Sequence, residues 1–464
     1  MTGLTAQLGD FAAGMTGISL PEGARQIVIS GVADCIGVMI AGRAEPVVRI
    51  VQSVAGDDGD EAWVCSREGR ATAAAAALIN GTAAHALDYD DVALGAHPSA
   101  VLVPAILAEA EATGASGDGI IRAYLAGYEI WGELTDRDED RHHEKGWHPT
   151  AVFGPLAAAA GCSVLRGHDA VTAARAIAIA ASLTGGIVAN FGTMTKPMHA
   201  GRAAQSGVLA ARLAEAGMTA ADNAIEHDTG FLSAISPNGR TRRGGGGSLG
   251  SRWHILESGL NIKRYPLCYA THRSIDGAID IAEKHDVDPS AIERIDVTMS
   301  ATQATILRNS RPQTGLDAKF SIQFAMAAAA ISRAAGLAEL QDEYVRRPEV
   351  QALMEKVFVD TTDEIDPADP IFSLNERVKF RLCDGRILDS GNIRFALGHA
   401  KNPIQIEGLR AKFDDCFDHA GVAESAGKIF TALEALPGLN AVPENLFEGI
   451  PAPAGNAPPR IPDN

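Results

Sequence analysis

The sequence predicts a mainly α-helical fold, with a large all-helical domain and a smaller inserted α+β domain. First, 46% of the 464 residues are hydrophobic but only 5% are aromatic, and alanine-rich runs such as ATAAAAALI and GPLAAAAG recur. Alanine has the highest helix propensity and a small side chain, so such runs favour closely packed helices. Second, β-branched residues begin to alternate after Tyr265. Third, helical periodicity returns near the C-terminus, so both chain ends are expected in the large domain.

Helical patterns dominate the sequence up to about residue 259. Leu20-Pro21-Glu22 opens an apolar segment that ends near Gly42, as expected for proline in a first helical turn. Its most apolar part, IVISGVADCIGVMIAG, contains Asp34, and we expect it to be too short to span a bilayer. A strand-like run is found at residues 62–66. Further helices are predicted at 71–86, 98–113, 118–133, 149–164, 168–183 and 200–217.

The α+β part is predicted from strands at 291–300 and 357–362 and from a hairpin at 375–395. The hairpin turns at Asp384-Gly385, a strong hairpin signal. Helices are expected at 271–286, 317–335, 404–417 and 422–435. The expected division is 1–266 with 400–440 for the helical domain, 267–399 for the α+β domain, and 441–464 as a disordered or surface-draped tail.

Composition excludes several classes of function. The formal net charge of −18 argues against nucleic-acid partners and against binding to an anionic membrane. An anionic substrate would need a local cationic pocket. The six cysteines contain no CxxC pair, which argues for free thiols and against an iron–sulfur cluster or structural zinc. No signal segment opens the chain, so a cytoplasmic location is expected.

Three further features limit the possible sites. The 13 histidines show no metal-ligand spacing, and the pair His142-His143 lies in DRDEDRHHEK, which we interpret as a solvated charge run. The glycine-rich stretch 240–251, RTRRGGGGSLGS, is expected to be a flexible loop. It lacks the preceding strand and following helix that a phosphate-binding loop requires. The sequence also contains no HExxH, GxSxG, P-loop or dinucleotide motif.

Two stretches place a histidine directly before a proline. They are GAHPSAVLVP at 95–104 and GWHPTAVFGP at 146–155, with His97 and His148 at the start of predicted helices. A helix N-terminus has positive potential and free N–H donors, so it attracts carboxylates and disfavours imidazolium. A neutral histidine beside a bound acid could then donate or accept a proton. The alternative is that each histidine is only a surface cap residue.

Other candidates flank these starts. Asp88, Asp90 and Asp91 cluster before His97. Lys196 lies in the stretch FGTMTKPMH, where its nearest neighbours are uncharged. A partly desolvated lysine suits proton transfer or pairing with a carboxylate, whereas a solvated loop lysine is the alternative. His199 follows in the first helical turn and is interpreted as structural.

A further pair lies later in the sequence. His272 and Arg273 stand near a helix start at the expected domain junction, where ligand clefts often form. The alternative is a packed junction histidine.

The chain resembles the MmgE/PrpD family, which includes 2-methylcitrate dehydratases, cis-aconitate decarboxylases and iminodisuccinate epimerases. The resemblance spans roughly residues 5–435 and rests on HALDYDD, the His97-Pro98 stretch, GWHPTAVFGP, GTMTKPMHAGRAA, KRYPLCYATH, KFSIQFAMAAA and NPIQIEGLRAKF. It implies a large helical domain, an α+β lid domain, a homodimer, and catalysis without metal or organic cofactor. The TMTKPMHAG form looks more like the decarboxylase and epimerase branches. Val92 and Phe324 stand where many members carry Thr and Tyr, which leaves the substrate open.

The resemblance also implies a site. The residues that match the cis-aconitate decarboxylase branch are Asp88, His97, His148, Lys196 and His272. We expect Lys196 and His272 to act as acid and base, His97 and His148 to bind carboxylate and relay protons, and Asp88 to orient an imidazole. Further expected substrate-binding residues are Asp91, Thr195 and Arg273.

Three functions therefore remain open from the sequence. The first is a cofactor-independent lyase that dehydrates or decarboxylates a small di- or tricarboxylate. The second is an epimerase or isomerase of a small dicarboxylate such as iminodisuccinate. The third is a non-catalytic family member in which these side chains do not converge.

Overall fold

The computed structural model describes residues 3–56, 59–138, 140–244, 247–367, 372–441 and 446–453. The chain is mostly helical with a small sheet region, which confirms the predicted mainly helical class. It divides into two units, one formed by Met1–Asn261 with Gln405–Asn464 and the other by Ile262–Ile404.

The first unit is a helical assembly. Its two strands in the described residues, β1 (Ala62–Trp63) and β2 (Arg70–Ala71), form one short antiparallel pair. Its first twelve helices are α1 (Leu4–Gly14), α2 (Ala24–Gly42), α3 (Pro46–Ala55), α4 (Ala73–Ala86), α5 (Pro98–Thr113), α6 (Gly117–Asp136), α7 (His142–Lys145), α8 (Pro149–Leu165), α9 (Ala170–Ala181), α10 (Thr195–Glu215), α11 (Phe231–Ile235) and α12 (His254–Glu257).

The second unit contains a four-stranded sheet with helices packed against it. Its helices are α13 (His272–Lys284), α14 (Ala301–Ile306), α15 (Gly315–Ala318), α16 (Ile322–Ser332), α17 (Asp342–Val345) and α18 (Pro348–Met354). Its strands are β3 (Ile292–Ser300), β4 (Val357–Thr362), β5 (Arg377–Leu382) and β6 (Ile387–Asp389). The chain then returns to the first unit with α19 (Ile406–His419) and α20 (Ala423–Glu434).

The sheet has the strand order β4-β3-β5-β6, with β3 and β4 parallel and the other pairs antiparallel. The predicted hairpin joins β5 to β6 and turns at Gly385, whose φ of +87° suits glycine. The single helix predicted at 317–335 is two helices, because the Ser321 hydroxyl caps α16 by accepting a hydrogen bond from Phe324 N at 3.1 Å. Phe324 is fully buried in the core of this unit.

Small residues let the central helices of the first unit approach closely, as their composition suggests. Helix α10 packs against α4 and α8. A Cβ atom added at Gly201 would lie 2.1 Å from the Leu78 carbonyl oxygen, and one at Gly207 would lie 2.3 Å from Ala158 Cβ. Because a larger residue would push these helices apart, Gly201 sets the distance between the start of α10 and α4, and Gly207 sets the distance between α10 and α8. The distance between α10 and α4 determines the geometry of the site.

Helix α2 corrects one expectation. We expected the apolar stretch to be too short for a membrane span, but the helix has 19 residues and is long and apolar enough to cross a membrane by length and composition alone. However, 78% of its most apolar window is buried inside the protein. Asp34 in its middle forms an ion pair with Lys412 of α19, at 2.5 Å. The apolar surface of α2 is therefore covered by the protein itself.

Two other sequence interpretations are also corrected. In DRDEDRHHEK, the described residues Asp138, Asp140 and His142 are buried, with His142 Nε2 2.9 Å from Asp138 Oδ2. The first part of the run is therefore a buried network, whereas its last part is exposed as interpreted, at Arg141, His143, Glu144 and Lys145. The glycine-rich loop is held to the buried network, because Arg240 Nε donates to Asp140 Oδ1 at 2.7 Å. Residues 139, 245 and 246 lie outside the described residues.

The expected disordered tail is only partly described. Residues 442–445 and 454–464 lie outside the described residues, whereas 446–453 pack onto the first unit. Phe447 is buried and stacks on Trp63 with ring centroids 4.1 Å apart. Arg43 donates to the Pro451 carbonyl at 3.0 Å. Residues 446–453 therefore lie on the first unit as a surface-draped segment, because Phe447 finds an aromatic partner distant in sequence.

Candidate active site

The two His-Pro stretches form two helix starts that touch each other. His97 and His148 stand immediately before Pro98 of α5 and Pro149 of α8, with non-helical backbone angles. Proline fits the first helical position because its missing N–H would have no partner in the helix. The His97 backbone N–H donates to Thr150 Oγ1 at 3.3 Å, and the two imidazole centroids are 6.4 Å apart. The structure therefore brings both histidines into one cluster.

The acidic turn after α4 supplies a carboxylate to two imidazoles. Asp90 is completely buried, with Oδ1 2.8 Å from His85 Nδ1 and Oδ2 2.8 Å from His97 Nδ1. Burial alone would raise the pKa of Asp90, but the imidazoles of His85 and His97 hold it well below its ordinary value. Burial lowers the pKa of His85 to about 4, so this imidazole is neutral near pH 7 and donates its Nδ1–H to Asp90.

Lys196 pairs with a different carboxylate of the same turn. Helix α10 begins at Thr195 instead of near residue 200, so Lys196 lies in its first turn and not in a loop. Its Nζ atom is 2.9 Å from Asp88 Oδ1 and 5.2 Å from the Phe191 ring centroid. Both charged side chains are buried, and Asp88 adopts a left-handed backbone with φ +53°. Asp88 Oδ1 is also 3.9 Å from His97 Nε2.

This geometry differs from the expected role of Asp88. The sequence analysis assigned Asp88 to orient an imidazole. In the structure the carboxylate at hydrogen-bond distance from imidazole nitrogens is that of Asp90, and Asp88 is hydrogen-bonded to Lys196. The acidic cluster was found from the sequence, but the sequence does not show which aspartate faces which partner.

His148 lies in surroundings without a carboxylate contact among the described side chains. Its ring is 4.8 Å from that of Phe191, and its Nδ1 is 3.1 Å from His199 Nδ1. One of these two nitrogens must donate and the other accept, so the tautomers of the two histidines are coupled. Burial lowers the pKa of His148 far below its ordinary value, and the nearby Lys196 acts in the same direction. His148 is therefore a neutral imidazole.

Two expected substrate-binding residues belong to this unit, and they differ in burial: Asp91 is buried and Thr195 is partly exposed. Asp91 is completely buried and accepts hydrogen bonds from the Ser99 hydroxyl and, at 3.3 Å, from Ser99 N. The Ser99 hydroxyl is also 2.7 Å from Tyr124 OH. Burial raises the pKa of Asp91 to about 8. These contacts engage Asp91 with α5 and α6, whereas Thr195 is partly exposed at the start of α10.

His272 and Arg273 belong to the second unit. His272 is fully buried at the start of α13, with Nε2 3.3 Å from the Leu267 carbonyl oxygen and its ring packed near Tyr269. Arg273 donates to the Ser373 carbonyl at 2.8 Å and lies over the Phe372 ring. The structure thus groups these two residues in the second unit, and it groups Asp88, His97, His148 and Lys196 in the first.

Three residues of the first-unit cluster were given no role in the site by the sequence analysis, although Asp90 was named there as part of the acidic cluster. They are His85, Asp90 and His199. His85 and Asp90 both lie in the family motif HALDYDD, so the motif itself was the available signal. His199 lies one helical turn after Lys196, and this spacing places both on one face of α10.

Part of the cluster has the donor types of a metal site. One ligand atom each from His85, Asp88, Asp90 and His97 lies within 4.8 Å of the others. In the structure Asp90 lies 2.8 Å from both imidazoles, and the Lys196 Nζ atom is 2.9 Å from Asp88 Oδ1. A divalent cation would meet this positive charge, so the arrangement fits an internal ion-pair network better than a metal centre.

Comparison with known proteins identifies the family. Residues 6–243 match the MmgE/PrpD N-terminal domain, and residues 265–435 match the MmgE/PrpD C-terminal domain. The chain belongs to the MmgE/PrpD family. The resemblance drawn from its motifs is confirmed. The C-terminal match covers α19 and α20 as well as the second unit.

Several curated members of the family are similar over most of their length. The cis-aconitate decarboxylase of Mus musculus is 29% identical over 381 residues, covering 78% of this chain and 76% of that protein. The cis-aconitate decarboxylase of Homo sapiens is 29% identical over 355 residues, covering 73% and 71%. The cis-aconitate decarboxylase of Aspergillus terreus is 26% identical over 364 residues, covering 73% of each chain.

Proposed function

We propose that this MmgE/PrpD protein is a cofactor-independent lyase that decarboxylates cis-aconitate or a closely similar small tricarboxylate. The observation that carries the proposal is the convergence of Asp88, His97, His148 and Lys196 in one buried cluster. This convergence argues against a non-catalytic family member, in which these side chains would have no reason to meet. The cis-aconitate decarboxylases among its relatives support this choice of substrate over other carboxylic acids.

The proposed reaction needs one proton delivered to carbon. The bond between the methylene carbon and its carboxylate breaks, and its electron pair forms a new double bond to the central carbon. The electrons of the original double bond move to the far vinyl carbon, which takes up the proton. Carbon dioxide leaves and methylenesuccinate forms, so atoms and charge balance without an oxidant or reductant. A positioned acid near that carbon is therefore the main requirement, contributing roughly 10²–10⁴-fold in rate.

We assign the acid role to Lys196. Its ammonium is held by Asp88, and His97 Nε2 is 3.9 Å from the same carboxylate oxygen. After Lys196 gives its proton to carbon, His97 takes up a proton from solvent at Nε2 and passes it along this path to the neutral Lys196 amine. His148 binds a substrate carboxylate through a neutral N–H, which orients the substrate without adding charge. His272 remains a proposed acid/base residue on the strength of the sequence resemblance.

An NMR assay in D₂O tests the proposal. The purified protein is mixed separately with cis-aconitate, 2-methylcitrate and iminodisuccinate. We expect cis-aconitate to lose CO₂ and the product to carry one deuterium on the methylene next to a carboxylate. Loss of water from 2-methylcitrate would show that the protein is a dehydratase instead. Exchange of a substrate proton for deuterium without loss of CO₂ or water would indicate an epimerase. No reaction with any substrate would contradict the proposal.

A single variant links the reaction to the cluster. Lys196→Ala should reduce turnover by about 10³-fold or more while the circular dichroism spectrum and the melting temperature remain those of a folded protein. Full activity in this variant would contradict the assignment of Lys196 as the acid.

A further inference from the structure

Asp90 has contacts that the proposed reaction does not yet use. It is completely buried, and each carboxylate oxygen is 2.8 Å from an imidazole nitrogen, one of His85 and one of His97. We infer that Asp90 is a positioning residue that, together with His85, fixes the tautomer and orientation of His97 so that His97 Nε2 faces the Lys196–Asp88 pair. This inference rests on the proposed function, because it assigns the way in which His97 is prepared for proton return.

The tautomer follows from the neighbours of His97 Nδ1. This nitrogen is 2.8 Å from Asp90 Oδ2 and 3.0 Å from the Asp91 carbonyl oxygen. Both neighbours are acceptors, so Nδ1 carries the hydrogen. In the neutral ring Nε2 is then the basic nitrogen. It is also the nitrogen that lies 3.9 Å from Asp88 Oδ1.

His85 keeps the Asp90 carboxylate from rotating away. Its Nδ1–H donates to Asp90 Oδ1, and its ring centroid is 4.4 Å from that of His97. His85 is buried at the C-terminal end of α4, a helix that packs tightly on α10. The support for Asp90 is thus part of the same rigid helix pair that places Lys196. A carboxylate anchored at Oδ1 by His85 keeps its other oxygen, Oδ2, at one position 2.8 Å from His97 Nδ1.

A purely structural role for Asp90 is the alternative, because a buried carboxylate is costly unless it is well bonded. The two roles differ in what a substitution changes. If the carboxylate is only structural, its substitution lowers stability alone. If it positions His97, its substitution also changes the His97 tautomer and slows turnover of bound substrate.

Asp90→Asn is the direct test. The amide has one oxygen, so it can accept from His85 or His97 but must present its NH₂ group to the other. We expect kcat to fall roughly 10²–10⁴-fold with KM changed only a few-fold. In serine proteases the equivalent change, at the aspartate that orients the catalytic histidine, lowers kcat about 10⁴-fold through the wrong tautomer. The ¹⁵N-histidine NMR spectrum of the unliganded protein should show His97 losing its single Nδ1–H form.

Asp138→Asn is the matched control. Asp138 is another buried aspartate in the first unit, 2.9 Å from a histidine, His142, and no catalytic role is assigned to either. The Asp138→Asn substitution should lower the melting temperature, while kcat per folded molecule and the His97 NMR signals stay near those of the wild type. If Asp90→Asn does not fold, His85→Gln replaces it, and the His97 tautomer and kcat should again change together.

Two results would overturn the inference. One is an Asp90→Asn protein with wild-type kcat and unchanged His97 signals, and the other is an equal loss of kcat in Asp138→Asn. Failure of the proposed function is distinguishable, because the wild-type protein would then leave cis-aconitate intact. The tautomer measurement needs no substrate, so it would still decide whether Asp90 positions His97.

Discussion

The starts of α5 and α8 have nearly the same sequence but opposite surroundings. In HPSAV the histidine faces carboxylates, since His97 Nδ1 is 2.8 Å from Asp90 and Nε2 is 3.9 Å from Asp88. In HPTAV the histidine faces the Phe191 ring and another imidazole, that of His199. The local sequence places each histidine at the N-terminus of its helix, whereas residues distant in sequence determine which charged groups surround it.

The hydroxyl residues after the two prolines differ in the same way. Ser99 bonds to Asp91 and Tyr124, and so ties α5 to the acidic turn and to α6. Thr150 accepts from the His97 backbone, and so ties the start of α8 to that of α5. The two similar stretches thus form two walls of the cluster, one whose histidine lies beside carboxylates and one whose histidine lies beside an aromatic ring and another imidazole.

The largest expected difference between the walls is in turnover. His97→Gln should lower kcat for cis-aconitate by roughly 10²–10⁴-fold, because the amide cannot return a proton to Lys196. His148→Gln keeps a neutral N–H donor, so its main effect should be a higher KM. Steady-state kinetics on both folded variants checks this. Equal losses of kcat would contradict the different roles.

The next effect separates the adjacent carboxylates Asp90 and Asp91. The pKa of Asp90 is lowered by folding, so its contribution to stability is present above the unfolded pKa of about 3.9 and is lost as pH falls. Asp90→Asn should therefore destabilise the protein at pH 7, by roughly 3 kcal/mol.

Asp91 should show the opposite trend. Its pKa is raised to about 8, so its contribution is present below about pH 3.9 and is lost as pH rises toward 8. Asp91→Asn should gain stability relative to wild type between pH 5 and 8. Urea unfolding from pH 3 to pH 8 measures both variants, and the same pH trend in the two would refute the assignment.

A smaller effect concerns His148 and the free energy of unfolding at acidic pH. Folding lowers the pKa of His148, so below about pH 6.5 the unfolded chain binds a proton that the folded protein excludes. This group then costs up to about 1.4 kcal/mol of stability per pH unit as the pH falls. His148→Gln should show a shallower loss of unfolding free energy from pH 7 to pH 5. Identical slopes for the variant and wild type would count against a neutral His148.

The smallest effect is at the contact between the two helix starts. Thr150→Val removes the acceptor for the His97 backbone N–H and should cost about 1 kcal/mol. Ser99→Ala should cost more, because it leaves the buried Asp91 and Tyr124 without their shared partner. Thermal unfolding of the two variants provides the comparison, and a larger loss for Thr150→Val would reverse the proposed division of roles.

The sequence predicts the local features of the site well. Proline before an apolar run placed the start of α5 at Pro98 and that of α8 at Pro149, since proline has fixed backbone geometry at a first helical turn. Asp384-Gly385 placed the hairpin for the same kind of reason. The family motifs then selected residues of which four meet in one cluster.

The sequence does not predict the pairing of distant charges. Lys196 and Asp88 are separated by 108 positions, and the contact depends on how closely α10 approaches α4. The early start of α10 had a signal, Pro197 in its first turn, but the neighbouring glycine and threonine indicated a loop. The contact between Asp90 and His85 could not be predicted, because the sequence does not show which aspartate turns inward after Asp88, whose backbone is left-handed. That is a property of the folded turn.

The most direct test of the account is the protonation of His148 in the folded protein. With ¹⁵N-labelled histidine, its imidazole signals can be followed from pH 8 to pH 5 and assigned with His148→Gln. We expect a neutral ring throughout this range, coupled to His199 by one shared hydrogen bond. Titration of His148 to imidazolium near pH 6.5 would contradict a neutral His148 and with it the division of labour between the two helix starts.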